Sequence, residues 1–321
     1  MSLPKIENLN LRKVTDDVVL IHQIKVPHLF SCCDGLLILP KKDRNTSIIA
    51  LDLNIEPKYV NSIKKNFGPI SDYVCTHGHI DHTCHVHAWE DSGALIHAPY
   101  PESEYLLDLH KFYEGFGFNK TMDYSKVESF GKLNGYRECR KVISFDPGET
   151  LYFEEFKVNT ISFPSHSKSH IGFLLPLEKI LHISCLGFDK PKPEIDGFGP
   201  WYGFKQASIE HYIEDINLAE SIFLNDAKYL TSSHSYIVKN PNIHPFEYMR
   251  NKIEQNQQKV NKALKMSDSL NKSEDDAVNQ LLNMDIFFPK RKLKDFLFEI
   301  YSLWESWIIR KHIQRSEFFN K

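Results

Sequence analysis

The chain has 321 residues, enough to bury a substantial core as one large domain or as a core with an appendage, and its 41% hydrophobic and 25% charged residues match soluble globular proteins. Lys and Arg number 39 against 42 Asp and Glu, a net charge of -3, which argues against the concentrated basic surface that sequence-independent nucleic-acid binding needs. No stretch approaches the roughly 18 apolar residues of a membrane helix, and the opening Met1-Ser2-Leu3-Pro4-Lys5 lacks a signal-peptide core.

The six cysteines (Cys32, Cys33, Cys75, Cys84, Cys139, Cys185) form no C-x-x-C pair, so reduced thiols in a cytoplasm are expected. Residues 18–26 and 29–40 read as half-buried strands, and 47–53 as a buried strand with Asp52 near its end. Val60, Ile63 and Phe67 mark a short helix that Gly68 stops. Residues 72–76 make a strand running into a histidine cluster, a helix spans about 82–91, and 94–97 is again a strand. An amphipathic helix is predicted over 102–117, strands at 156–164, 170–177 and 180–185, a helix at 208–223 and a strand at 228–231. After Pro245 three helical patterns dominate, about 246–264, 275–284 and 293–316, with a polar linker at 267–276. The one basic cluster, Lys290 to Lys294, reads as a solvated helix start. Strands grouped around interleaved helices predict sheets sandwiched between helical layers, with 1–244 as the core and 245–321 as a helical subdomain.

The chemistry concentrates in Thr76-His77-Gly78-His79-Ile80-Asp81-His82, three imidazoles and a carboxylate within six residues, just past a strand. On an extended or looped segment His77 and His79 point to one side and chelate one ion, while Asp81 and His82 lie across the turn, suited to a second. That donor set fits zinc, manganese or iron better than calcium or magnesium.

The run matches the H-x-H-x-D-H signature of the metallo-β-lactamase superfamily, which the chain resembles from about residue 18 to 240. The resemblance implies an α/β (α+β) fold, a four-layer αββα sandwich with the metals at one edge. Pro164-Ser165-His166-Ser167-Lys168-Ser169-His170 looks like the family's P-G-H-T-x-G-H loop and gives His166 the role of third ligand to the first metal. Ser232-Ser233-His234 resembles the late G-H or S-H element, making His234 a ligand of the second metal, and Asp52 resembles the acidic residue kept behind the site. One position departs from the pattern. Where most of the family's hydrolases place a bridging aspartate, this chain has Cys185; zinc β-lactamases also use a cysteine thiolate there. The alternatives are that Asp189 supplies the bridge, or that the chain works with one metal.

By resemblance the function is a metal-dependent hydrolase, with two zinc ions and a small-molecule acyl ester, thioester or lactone as substrate. Asp81 would orient the nucleophile, and Asp52 would fix a ligand histidine's tautomer. A mononuclear iron persulfide dioxygenase, an RNA phosphodiesterase and a non-catalytic scaffold are the rival readings, and oligomeric state is left open. His170 is read as a rim or structural histidine, and His85 and His87 as helix-face histidines. The segment 197–204, with Trp201 and Tyr202, is read as an aromatic pocket wall or as loop anchoring.

Overall fold

The computed structural model describes residues 3–28, 30–40, 47–154, 156–187, 200–234, 237–267, 272–288, 290–293 and 295–317. Two sheets form its centre. The first has seven strands in chain order: β1 (Leu9–Lys13), β2 (Val18–Gln23), β3 (Gly35–Ile38), β4 (Ile48–Leu51), β5 (Ile70–Val74), β6 (Leu95–Pro99) and β7 (Ile143–Phe145). β1 to β4 are antiparallel, and β4 to β7 are parallel. The second sheet has β8 (Thr150–Phe153), β9 (Phe156–Ser162), β10 (Ile171–Leu175), β11 (Ile180–His182), β12 (Tyr229–Thr231) and β13 (Ile237–Lys239). Its one parallel pair among these strands is β11 with β12.

The strand period of two explains the layering. In β4, Ile49 and Leu51 meet Val158, Ile171 and Phe173 of the second sheet. Ile48 and Ala50 face the other way, onto Val60 and Ile63 of helix α1 (Pro57–Phe67). Because both faces are covered, β4 reads as a continuous apolar run. α1 opens on Pro57 and ends at Gly68, whose φ of 120° only glycine adopts without strain.

Two short helices follow β5: α2 (Ile80–Thr83) and α3 (Val86–Asp91), the latter burying Trp89 beneath the first sheet. The insertion between β6 and β7 carries a 3₁₀ turn (Glu102–Leu106), α4 (Leu109–Gly115) and α5 (Tyr124–Leu133). On the outer face of the second sheet lie α6 (Ile209–Asn225) and, from the C-terminal part, α7 (His244–Met266) and α9 (Asp295–Arg315), with α8 (Glu274–Leu282) packed on α7 and α9. The order of layers is helix, sheet, sheet, helix, as expected. The tail has a small cluster of its own, including Val260, Val278 and Ile309. It is also continuous with the main molecule, since Phe246 of α7 and Ile300 and Trp304 of α9 pack with Leu230 and Tyr212.

Several expectations are corrected. The helix expected over 82–91 is broken at Cys84 and His85, where Asn54 accepts from His85 N at 2.9 Å and donates to the carbonyl of Asp81. The helix expected over 102–117 breaks at Asp108, whose carboxylate caps α4 by accepting from His110 N at 2.7 Å. The strand expected over 29–40 shortens to β3, and β1, β7, β8, β13 and α5 were not anticipated. Within the Lys290 cluster, Lys290 itself is not solvated: it is 3% exposed and pairs with buried Glu305 and with Asp285, while Lys292 is exposed and Lys294 lies outside the described residues. All six cysteines are free thiols. No helix among the described residues is long and apolar enough to cross a membrane.

Candidate metal centre

The carboxyl ends of several strands converge at one edge of the sandwich. β5 leads into Thr76–His82, β9 into the loop with His166, β11 into Ser184 and Cys185, and β12 into Ser232–His234. Two residues there hold left-handed backbone, Asp52 at φ 54° and Ser184 at φ 46°, a strain that persists only where surrounding contacts enforce it.

Two donor clusters result. In the first, His79 Nδ1 lies 3.0 Å from His77 Nε2 and 3.1 Å from His166 Nε2. In the second, His82 Nε2 lies 3.0 Å from Cys185 Sγ and 3.5 Å from Asp81 Oδ2, and Cys185 Sγ lies 3.1 Å from His234 Nε2. The clusters adjoin, since His77, His82 and Cys185 also bring donor atoms within 4.8 Å of one another. Thus the structure brings together His77, His79, Asp81, His82, His166, Cys185 and His234. Asp189 lies outside the described residues.

The donor chemistry fits a metal. His166 directs Nδ1–H to the Trp201 carbonyl at 2.9 Å, so its Nε2 presents a lone pair. Burial first, and the neighbouring imidazoles second, hold His77, His79 and His166 well below the usual histidine pKa, so all three are neutral. Three neutral rings thus turn nitrogens on one point with few protons to share among them, an arrangement that a cation satisfies. Ligands on a tetrahedral zinc at about 2.0–2.1 Å would sit about 3.3 Å apart, close to the spacing seen.

The second cluster is held from behind. Asp52, wholly buried, takes His82 Nδ1 at 2.9 Å and the hydroxyls of Ser233 at 2.7 Å and Ser184 at 3.2 Å. Burial alone would lower the pKa of His82, but Asp52 and then Cys185 raise it well above the ordinary value. Burial pushes the Cys185 thiol up to about 11, against the pull of His82. A cation on Sγ is what would ionise it at neutral pH.

Glu102 is a site residue that the sequence did not reveal. Its carboxylate is 1% exposed and takes Gly78 N at 2.7 Å, Ser167 Oγ at 3.0 Å and Ser169 N at 3.0 Å. It therefore ties the His77-Gly78-His79 turn to the loop flanking His166. Gly78 is required by the same packing, because a Cβ there would lie 2.5 Å from the Tyr105 ring. Glu102→Gln replaces one acceptor oxygen by a donor facing donors. It should weaken metal binding by about 10- to 100-fold, read by competition with a fluorescent chelator; unchanged affinity would remove Glu102 from the site.

The remaining expected residues separate. Trp201 lines the cavity in front of the metal cluster. Tyr202 turns away, donating to or accepting from His312 Nε2 at 2.9 Å and accepting from Asn256 Nδ2 at 3.0 Å. It anchors the 200–204 loop. His170 sits behind the ligands, Nδ1 on the Phe163 carbonyl at 3.1 Å, its ring 4.9 Å from that of His77. His85 and His87 are buried beside α3 and belong to no donor cluster among the described residues.

The space in front of the clusters, part of it open to solvent, measures about 660 Å³. His79, Asp81, His166 and Cys185 form its floor, and aromatic and aliphatic side chains from the β2–β3 loop, α4, α5 and α9 form its walls.

No protein-family profile matches the sequence, and no curated protein does. Solved structures do. A metallo-β-lactamase family protein from Thermus thermophilus superposes with a TM-score of 0.61 at 12% identity, over 97% of this chain and 94% of its own. The DIM-1 metallo-β-lactamase gives 0.53 at 18% identity, over 78% of this chain and 99% of its own. FIM-1 from Pseudomonas aeruginosa, in its mono-zinc form, gives 0.52 at 16%, over 78% and 97%. The chain has the metallo-β-lactamase fold.

Proposed function

We propose that the chain is a metal-dependent hydrolase that holds two divalent ions, zinc foremost, and cleaves an acyl ester, thioester or lactone. One observation carries the reading: a three-imidazole cluster adjoins a second cluster of carboxylate, thiol and two imidazoles, at the floor of a cavity. Bound there, divalent ions would supply Lewis acidity toward a carbonyl oxygen and hydroxide near neutral pH. His77, His79 and His166 would hold the first ion; Asp81, His82, Cys185 and His234 the second. Thr76 Oγ1 at 2.9 Å from His77 Nδ1, the Trp201 carbonyl on His166 and Asp52 on His82 fix the ring orientations. Asp81, which lines the cavity floor, would orient an attacking water toward a bound carbonyl. In this reading residues 1–244 carry every ligand, and 245–321 complete the substrate wall through α9.

Four donors in the second cluster favour two ions over the single iron of a persulfide dioxygenase. The test is elemental analysis of protein purified without added metal, beside Cys185→Asp, with ester, thioester and lactone turnover in parallel. Two zinc ions per chain, with a change in second-site affinity in the variant, is the expected result. One iron per chain, with oxygen uptake on a persulfide, would overturn it.

A further inference from the structure

The cavity has a direction. At the metal end, Phe204 lies with its ring 4.3 Å from that of His79, and Trp304 stands 5.2 Å from Trp201. From Trp304 the wall continues along α9 through Ile300 to Phe296. These three positions are spaced by four, so they form one stripe about 12 Å long on a helix rising 1.5 Å per residue. The facing wall is α5, with Val127 and Phe130. At the far end Phe130 meets Phe296, ring centroids 4.9 Å apart.

That same pair lines a second, shallow groove on the surface between α5 and α9, where Leu133 and Leu297 are 57% and 39% exposed. Phe130 and Phe296 therefore stand between the interior slot and a surface groove in which Leu133 and Leu297 alternate with the Lys126–Glu299 ion pair. Polarity is confined to the floor: among the described residues lining the slot, the polar ones are His79, Asp81, His166 and Cys185, and none is Lys or Arg. A carboxylate, phosphate or nucleotide tail seated in such walls would lose its hydration without a partner, which costs far more than the contact returns. A methylene chain loses nothing by the same transfer.

Resting on the hydrolase reading, we propose that the substrate is a neutral acyl compound with an extended aliphatic tail. Its carbonyl lies at the histidine floor, and its tail runs between α5 and α9 past Phe130 and Phe296. The tail-length preference is set by Trp304, Ile300 and Phe296.

Two arms test this separately from hydrolysis itself. In the first, neutral 2-alkanones from hexanone to dodecanone are titrated into the metal-loaded full chain and followed by calorimetry. Affinity should rise roughly threefold to fourfold per methylene while the tail lies in the slot. Affinity indifferent to chain length would overturn the inference, whether or not the protein hydrolyses anything. In the second arm, kcat/KM is measured for butyryl and decanoyl esters with neutral alcohols, beside the decanoyl thioester of coenzyme A. The decanoyl ester should exceed the butyryl ester by tenfold or more. Ile300→Trp, which fills the slot midway, should collapse that ratio, its fold checked by circular dichroism. A butyryl ester turned over as well as the decanoyl one would sink the tail assignment, and a preference for the anionic thioester would sink the neutral leaving group; either result would overturn the proposal and leave the hydrolase standing. Length-dependent alkanone binding with no turnover of any acyl compound would do the reverse.

Discussion

Asp52→Asn is expected to weaken binding of the second metal by about 10- to 100-fold and to destabilise the metal-free protein by about 3–5 kcal/mol at pH 6. The carboxylate is fully buried and joins four segments: Thr76 N donates to Oδ1 at 3.3 Å, while His82, Ser184 and Ser233 converge on Oδ2. Asparagine keeps the shape but removes the charge opposite His82 and turns an amide toward groups that are themselves donors. What remains is a buried imidazole that has lost its nearest counter-ion and keeps only Asp81 at 3.5 Å, and its ring is no longer fixed with Nε2 toward Cys185. The pH dependence follows from Asp52 itself. Burial would raise its pKa, but His82 outweighs that and holds it at about 2, below the free value of 3.8. A depressed carboxylate stabilises the fold fully above its free value and loses that contribution as pH falls from about 4 to 2. The gap in melting temperature between parent and variant, measured in chelator, should therefore be roughly 6 °C at pH 6 and should narrow as pH falls from about 4 toward 2. A variant that melts with its parent at pH 6 would show that Asp52 does not organise the site.

The legibility of this molecule in its sequence divides by distance along the chain. The histidine cluster was readable because its ligands lie within six residues behind an apolar strand. His166, Cys185 and His234 were readable only through the resemblance, since nothing local says that three strand ends meet. Glu102 was invisible. Its partners Gly78 and Ser169 are 24 and 67 residues away, and a glutamate at the start of a helical pattern reads as an ordinary first-turn acid. Helix boundaries failed where a side chain captures a backbone N–H, locally at Asp108 and His110 and from 31 residues away at Asn54 and His85. β7, β12 and β13 are three residues each, too short for alternation to register, and β12 was found only because an apolar pattern led into His234. The stripe Phe296, Ile300, Trp304 is visible as helical spacing, but pattern alone cannot tell a stripe that packs on the core from one that lines a slot.

Lys311→Met is expected to stabilise the protein below pH 7 and to lose that advantage as pH rises toward 10.5. Lys311 lies on α9 and donates through Nζ to the Phe204 carbonyl at 2.7 Å and to that of Trp307 at 3.4 Å. Burial first, and the charge of Arg310 second, push its pKa down to about 7 from 10.5. Below pH 7 the amine is charged both folded and unfolded, and the fold bears the full cost of burying the charge. Between about 7 and 10.5 the folded chain holds no proton there while the unfolded chain does, so stability rises with pH, by up to about 1.4 kcal/mol per unit. Above 10.5 the amine is neutral in both states, and the parent keeps a hydrogen bond that methionine lacks. Melting curves of parent and variant at pH 6, 8 and 10 measure the difference, in which other titrating groups cancel. A constant offset across that range would mean that Lys311 stays charged in the fold. The position matters beyond stability, because Phe204, whose carbonyl Lys311 holds, also lies against His79. A tail helix that tethers the loop beside His79 gives α9 a second reason to be part of the site, alongside the wall it contributes.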